Sequence, residues 1–228
     1  MEIMEKAEEE DAESLLSWCE TEPKREQAPV GDSFQRRQRD SFLLSARDSI
    51  ENFPKDGNPS YLGKLFKDLG NALYNYDDVI GAEKVYREGT RRAPGFAPCY
   101  DCLGRLLLER NDLQGAERVL QRGAKIEGAG GCCFWLGSLR ELQGDLIAAA
   151  AAYREAVSLE PNEIEFRLVL GQFLENNGDK RGAEEVYRKA LQMFAGFDQS
   201  YENEYEKILV NEFPSLRKLI ATTKRRNR

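Results

Sequence analysis

Apolar residues recur along most of the chain at spacings of three and four, which predicts amphipathic helices. Inside these segments a Leu-Gly pair returns at residues 69–70, 103–104, 136–137 and 170–171, at intervals of 34, 33 and 34 residues. A fixed period of this length is typical of repeat proteins built from helical hairpins. The period predicts four repeats, at about 63–96, 97–129, 130–163 and 164–197.

Residues at fixed distances after each glycine predict a second helix in every repeat. The residue twelve positions after each glycine is an alanine, and the residue four positions after that is large. The pairs are Ala82 and Tyr86, Ala116 and Leu120, Ala149 and Tyr153, and Ala183 and Tyr187. We expect the glycine and the alanine to let the two backbones approach closely, and the large residue to fill the space where the helix axes diverge. Gly89 and Gly123 continue this stripe, and we expect each to weaken its helix by about 1 kcal/mol relative to alanine.

Short polar pairs separate the two helices of each repeat. They are Asp77-Asp78, Asn111-Asp112, Gly144-Asp145 and Gly178-Asp179. Such residues end one helix and cap the next. Pro94 and Pro161 are expected to close the first and third repeats.

This pattern resembles the tetratricopeptide repeat family over about 135 residues, as in LGNALYNYDDVIGAEKVYREGTRRAP and LGSLRELQGDLIAAAAAYREAVSLEP. The resemblance implies an all-α fold, a right-handed superhelical solenoid of antiparallel helix pairs. It also implies a function in protein–protein interaction, as an adaptor that binds a peptide or a partner protein in a concave groove. Arg167 departs from the family pattern, which usually has a large apolar residue there.

The flanks of the repeats have a different character. Residues 1–30 are predicted to be a disordered acidic tail, with one apolar cluster, Ser14-Leu15-Leu16-Ser17-Trp18. This cluster either docks as a helical peptide on a partner or in the protein's own groove, or is a chance apolar spot in the tail. Residues 31–62 are predicted to hold an N-terminal helix and linker, and residues 198–228 a capping helix and basic tail. The helices are indicated by amphipathic stripes: Phe34, Phe42, Leu43, Ala46 and Ile50; Tyr201, Tyr205, Ile208, Leu209 and Phe213.

Charge and composition exclude several classes of function. Residues 1–30 contain ten acidic and three basic side chains, which accounts for the whole net charge of −7. The balanced remainder offers no broad cationic surface, so nucleic acid is not expected as the main partner. The chain has no histidine, which excludes Ser-His-Asp and Cys-His catalysis.

No cofactor is indicated, and no apolar run is long enough to span a membrane. We expect a cytoplasmic location, with a nuclear one as an alternative because of the basic residues near the C-terminus.

The resemblance implies that exposed residues on the first helix of each repeat contact the partner. These candidates are Lys64, Lys67, Asn71 and Tyr74; Asp101, Arg105, Leu108 and Glu109; Ser138 and Glu141; Gln172, Glu175 and Asn176. They predict a groove that is basic at its N-terminal end and acidic at its C-terminal end.

Lys67 and Asn71 resemble the start of the carboxylate clamp of chaperone-binding family members, which suggests a co-chaperone as an alternative. Cys102, Gly131 and Trp135 stand where that clamp needs Asn, Lys and Arg. Further alternatives are a structural subunit of a larger assembly, using the convex face, and an enzyme using Glu109 and Glu141. The oligomeric state is not indicated.

Four cysteines lie on the first helices of neighbouring repeats: Cys99, Cys102, Cys132 and Cys133. Four thiolates brought together could bind zinc or form a disulfide. Cysteine is also a common small filler where helices crowd, and this second interpretation is the one we adopt, with no metal site.

Overall fold

The computed structural model describes residues 33–194, and every regular element in that range is an α-helix. The chain divides into two compact units, Met1–Asp112 and Leu113–Arg228, called here the N-terminal and the C-terminal unit. The predicted all-α fold of paired helices is confirmed. The helices are α1 (Ser33–Glu51), α2 (Pro59–Asn75), α3 (Val79–Arg92), α4 (Ala97–Glu109), α5 (Leu113–Gly123), α6 (Gly130–Leu142), α7 (Leu146–Leu159), α8 (Ile164–Asn176) and α9 (Lys180–Phe194).

The turn after each first helix places one residue in the left-handed backbone region. These residues are Asp77 (φ 65°), Asn111 (φ 61°), Gly144 (φ 79°) and Gly178 (φ 86°), one in each predicted repeat. Glycine adopts this conformation at no steric cost, and Asn and Asp tolerate it better than other residues. The sequence varies at this position only among the residue types that the backbone accepts.

An aspartate follows the left-handed residue and caps the next helix. The backbone N–H of Gly81 donates to Asp78 Oδ1 at 2.9 Å, that of Ala148 to Asp145 Oδ1 at 3.0 Å, and that of Gly182 to Asp179 Oδ1 at 2.8 Å. Each bond satisfies one N–H group that the helix itself leaves without a partner. The predicted turns and caps are confirmed at these three positions.

In the N-terminal unit, α2 pairs with α3, and α4 packs against both. The core between them consists of aromatic and aliphatic side chains, among them Phe66, Leu69, Val85, Tyr86 and Leu103. On the other side of α2 lies α1, which buries Ile50 and leaves Phe42 exposed. The N-terminal helix predicted from this stripe is present.

In the C-terminal unit, α6 pairs with α7, α8 pairs with α9, and α5 packs against α6. Aromatic rings fill the space between the two pairs. Phe134 of α6 stacks on Phe166 of α8 with ring centroids 4.8 Å apart, and Tyr153 of α7 meets Phe173 of α8 at 5.3 Å. The expected breaks at Pro94 and Pro161 fall just after the ends of α3 and α7.

The glycine of the Leu-Gly pair has a different partner from the one expected. A Cβ atom built on Gly137 would lie 2.7 Å from Cδ1 of Tyr153, and the same steric conflict occurs between Gly70 and Tyr86 and between Gly171 and Tyr187. The glycine therefore makes room for the tyrosine ring of the second helix. The expectation that the large residue fills space one turn beyond a backbone contact was wrong for these three hairpins.

Gly89 was expected to weaken α3, but the packing around it requires a glycine. A Cβ at this position would lie 2.7 Å from Cys99 Sγ and 2.9 Å from Phe66 Cβ. Three helices meet at this point. The loss of helix propensity is offset by the close approach of α2 and α4.

Segments outside residues 33–194 carry three of the predictions from the sequence. The acidic tail with Leu15, Leu16 and Trp18, the capping helix from Tyr201 to Phe213 and the basic end of the chain lie outside the described residues.

Replacing Gly89 with alanine tests this packing. Helix propensity alone predicts a gain of about 1 kcal/mol. We expect instead a loss of about 1–3 kcal/mol in the free energy of unfolding, because the new methyl group overlaps Cys99 and Phe66. The measurement is urea unfolding followed by circular dichroism.

Gly95→Ala is the control for this experiment, because no heavy atom lies within 4 Å of a Cβ at that position. It should change stability by less than about 0.5 kcal/mol. A stabilised Gly89→Ala variant would show that the three helices can separate at no cost.

Candidate functional site

The candidate residues lie on the exposed sides of the first helices, a surface called here the first-helix face. In the N-terminal unit it is formed by α2 and α4, which contact each other, and in the C-terminal unit by α6 and α8. Lys64, Glu109, Glu141, Gln172 and Asn176 are exposed, whereas the other candidates are half-buried: Lys67, Asn71, Tyr74, Asp101, Arg105, Leu108, Ser138 and Glu175.

Tyrosine hydroxyls from the second helices reach this face from behind. Tyr153 donates to Glu141 Oε2 at 2.9 Å, and Tyr187 to Glu175 Oε2 at 3.5 Å. Each ring is buried and fills the space left by the glycine, while its hydroxyl ends at a side chain on the surface. The same residue thus belongs to the core and orients a carboxylate on the face.

The first repeat uses an amide in place of the carboxylate. Tyr86 donates to Asn71 Oδ1 at 2.6 Å, and the thiol of Cys102 approaches the same oxygen at 3.6 Å. Asn71 therefore links α2 to both α3 and α4. Burial raises the pKa of Tyr86 well above its usual value, so the phenol keeps its proton and remains a donor.

A cluster of three side chains joins α2 to α4 on the first-helix face. The guanidinium of Arg105 lies 4.5 Å from the ring centroid of Tyr74 and donates to Glu109 Oε1 at 2.9 Å. The Tyr74 hydroxyl donates to the other oxygen of Glu109 at 2.8 Å. Arg105 is fixed by a ring and a carboxylate together, which orients its remaining N–H groups.

The charged candidates differ between the two units. In the N-terminal unit, Lys64, Lys67 and Arg105 occur together with Asp101 and Glu109, and Lys67 Nζ lies 3.4 Å from Asp68. In the C-terminal unit the charged candidates are Glu141 and Glu175, accompanied by the neutral polar Ser138, Gln172 and Asn176. The charged candidates of the first unit are of mixed sign, and those of the second are acidic.

Comparison with protein families finds the model of the tetratricopeptide repeat at residues 131–163 and 164–195. These ranges coincide with the hairpins α6–α7 and α8–α9. This part of the chain, residues 131–195, carries tetratricopeptide repeats. The comparison with curated proteins gave no match.

Solved tetratricopeptide-repeat structures share the fold. TTC0263, a thermophilic TPR protein in Thermus thermophilus, is 20% identical with a TM-score of 0.57, covering 78% of this chain and 93% of that one. MamA is 19% identical with a TM-score of 0.51, and the match covers 74% of this chain and 96% of that one. The hetero-tetramer Cut9-Hcn1 of the APC/C is 16% identical with a TM-score of 0.58, covering 80% of this chain and 34% of that one. At these identities the likeness concerns the fold.

The three tyrosines of this chain stand at positions that the sequence had marked only as space-filling. The bonds of Tyr86, Tyr153 and Tyr187 were therefore missed. A signal was available in two repeats, where a glutamate stands twelve residues before the tyrosine: Glu141 before Tyr153, and Glu175 before Tyr187. The link from Tyr86 to Asn71 has a different spacing, so only the structure reveals it.

The cysteines act as packing residues in these repeats. Cys99, Cys132 and Cys133 are buried and Cys102 is half-buried, and residues 33–194 contain no group of three or more Cys, His, Asp or Glu side chains that could hold a metal ion. Cys99 Sγ lies 3.3 Å from the carbonyl oxygen of Gly63. Burial raises the pKa of the Cys99 thiol to about 12, and that of Cys102 and Cys133 to about 11. The zinc alternative has no support among these residues.

Across residues 33–194, no helix combines the length and the apolar composition needed to cross a membrane.

Removing the Tyr86 hydroxyl tests the link between core and face. We expect Tyr86→Phe to lower the free energy of unfolding by about 1–2 kcal/mol, because the half-buried Asn71 loses its stronger donor. Tyr153→Phe should lower the free energy of unfolding by about 1 kcal/mol or less, since water can replace the lost donor at the exposed Glu141. Thermal and urea unfolding measure both, with the exposed Tyr61→Phe as a control.

Equal and negligible effects of the three phenylalanine variants would show that the hydroxyl bonds contribute nothing to the fold.

The buried thiols and phenols predict a loss of stability at alkaline pH. In the unfolded chain a thiol ionises near pH 9 and a phenol near pH 10, whereas the folded groups keep their protons to higher pH. Above pH 9 the unfolded state therefore binds fewer protons, and the free energy of unfolding falls by up to about 1.4 kcal/mol per pH unit for each such group. Urea unfolding between pH 7 and pH 11 measures this slope. The double variant Cys99→Ala, Cys133→Ala should reduce it, and a flat profile would contradict the assignment.

Proposed function

We propose that the protein is a non-enzymatic adaptor that binds a peptide or a segment of a partner protein along its first-helix faces. The fold supports this class of function, because stacked helical hairpins expose a regular row of side chains on each first helix. The observation that carries the proposal is the cluster of Tyr74, Arg105 and Glu109 in the N-terminal unit.

The side chain of Arg105 is already held in one conformation before a ligand binds. Its guanidinium is held by the Tyr74 ring and by one bond to Glu109, so little side-chain entropy remains to be lost on binding. A guanidinium has five N–H donors in a planar fork, and a single carboxylate bond leaves others available. The group that best fits this position is a carboxylate of the bound segment.

Leu108 and Tyr74 give the same region an apolar component. Both are half-buried on the first-helix face beside Arg105. Apolar anchors next to a fixed charge are the usual composition of a peptide-binding surface. We therefore expect a bound segment with an acidic residue near an apolar one.

The co-chaperone alternative depends on Lys67 and on the free C-terminal carboxylate of the ligand. Asn71 Oδ1 already accepts a bond from Tyr86, although the amide NH₂ group that a carboxylate needs is not used by that bond. Binding that persists with a C-terminally amidated peptide and with Lys67→Ala would exclude this alternative.

The test of the adaptor function is affinity capture from cell extract, with bound proteins identified by mass spectrometry. The full chain is compared with Arg105→Gln and with Arg188→Gln. The second variant is the matched control, because Arg188 also forms one ion pair with a glutamate, at 2.6 Å, but lies on the second helix α9.

We expect Arg105→Gln to lose specific partners that Arg188→Gln retains. Each of these partners should bind purified Arg105→Gln with an affinity about 10-fold or more below that of the unchanged chain, because a hydrogen bond to a charged group is worth about 1.5–3 kcal/mol. If both variants retain the same partners, the first-helix face of the N-terminal unit is not the binding surface.

A further inference from the structure

The outward side of α3 carries a basic stripe that the first-helix face does not involve. Ile80, Lys84, Arg87 and Arg91 follow one another at intervals of four, three and four residues, which places them on one side of the helix. The opposite side, with Ala82, Val85, Tyr86 and Gly89, is buried. These four outward residues are called here the α3 stripe.

Two carboxylates along the stripe, those of Glu83 and Glu88, lie beneath the arginines, whereas Asp77 in the turn before the helix is exposed. The side chains of Glu83 and Glu88 are 15% and 14% exposed, whereas those of Arg87 and Arg91 are 50% and 54% exposed. Arg110 bonds to Glu83 as a further cation at the same place. Three arginines, Arg87, Arg91 and Arg110, therefore pair with two largely covered carboxylates, and the guanidinium groups are the more exposed side of these ion pairs.

An apolar end completes the stripe. Ile80 is 64% exposed at the start of α3, and Tyr76 in the preceding turn is also exposed. A ligand for this surface needs large apolar residues at one end and several carboxylates along the rest.

We propose that the acidic segment of residues 8–22 of this same chain docks on the α3 stripe. The segment contains seven acidic residues and no basic one, and it surrounds the apolar cluster Leu15, Leu16 and Trp18. Its composition is complementary to the stripe in both respects: carboxylates for Lys84, Arg87 and Arg91, and apolar side chains for Ile80 and Tyr76.

The length of the connection allows this contact. Ten residues separate Glu22 from Ser33, the first residue of α1, and they can span up to about 34 Å. The whole of α3, with 14 residues, is about 21 Å long.

Because the acidic segment and the α3 stripe belong to one chain, even a weak contact between them is enough for docking. Two binding elements joined by a short linker have an effective concentration in the mM range, so a contact with a dissociation constant of about 1 mM would be formed about half of the time. The docked segment would cover a surface open to acidic partners, and such a partner would have to displace it.

Trp18 provides the measurement, since the chain has only one other tryptophan, Trp135. The fluorescence of Trp18 is obtained by subtracting the spectrum of Trp18→Phe from that of the full chain, and independently from Trp135→Phe. The reference is a synthetic peptide of residues 8–24. Docking predicts emission at shorter wavelength than the peptide and weaker quenching by acrylamide.

Charge reversal on the stripe should release the segment. In Lys84→Glu, Arg91→Glu, emission and quenching of Trp18 should return to those of the peptide, as they should when salt is raised from about 0.05 M to about 1 M. The matched control is Arg118→Glu, Lys125→Glu, at the equivalent positions of the second repeat, and it should change nothing. If the reversed variant is unfolded by circular dichroism, Lys84→Gln, Arg91→Gln replaces it.

Three results would overturn the proposal. The emission and quenching of Trp18 in the full chain could match those of the free peptide. The emission shift of Trp18 could persist in the charge-reversed variant. The emission shift could also grow with protein concentration, which would indicate docking on a second copy of the chain. None of these results concerns Arg105, so the adaptor function stands or fails separately.

Discussion

The structure depends on the contact between a glycine on the first helix of a hairpin and a tyrosine ring from the second. In three hairpins the ring occupies the volume that a Cβ atom on the glycine would need: Gly70 with Tyr86, Gly137 with Tyr153, and Gly171 with Tyr187. This steric fit sets how closely the two helices pair and at which register. Because the described residues bury no charged side chain, shape determines the pairing.

The same contact connects packing with recognition. Each of these tyrosines places its ring in the core and its hydroxyl against a first-helix side chain, Asn71, Glu141 or Glu175. A side chain on the first-helix face is therefore oriented by a residue that the fold already requires. The Tyr74, Arg105 and Glu109 cluster differs, because its three members hold one another without a buried ring.

The repeats, the paired helices and the caps could be predicted because they depend on local rules that recur four times. Turn residues, aspartate caps and the small-residue stripe are repeated at a constant spacing, so each copy supports the others. The role of Gly89 could not be predicted, because its neighbours Cys99 and Phe66 belong to two other helices. The same reason applies to the link between Tyr86 and Asn71, whereas the spacing of Glu141 and Tyr153 was visible and its chemical meaning was not recognised.

The tyrosine bonds also divide the binding face into positions that can change in evolution and positions that cannot. A substitution at Asn71 alters the first-helix face and the helix packing together, so if this face binds the partner as proposed, selection for a new partner would act against stability. Lys64, Gln172 and Asn176 are exposed and carry no bond to a core tyrosine. Divergence of specificity among relatives with this architecture should therefore begin at such positions, while the tyrosine-linked ones change only together with their partners on the second helix.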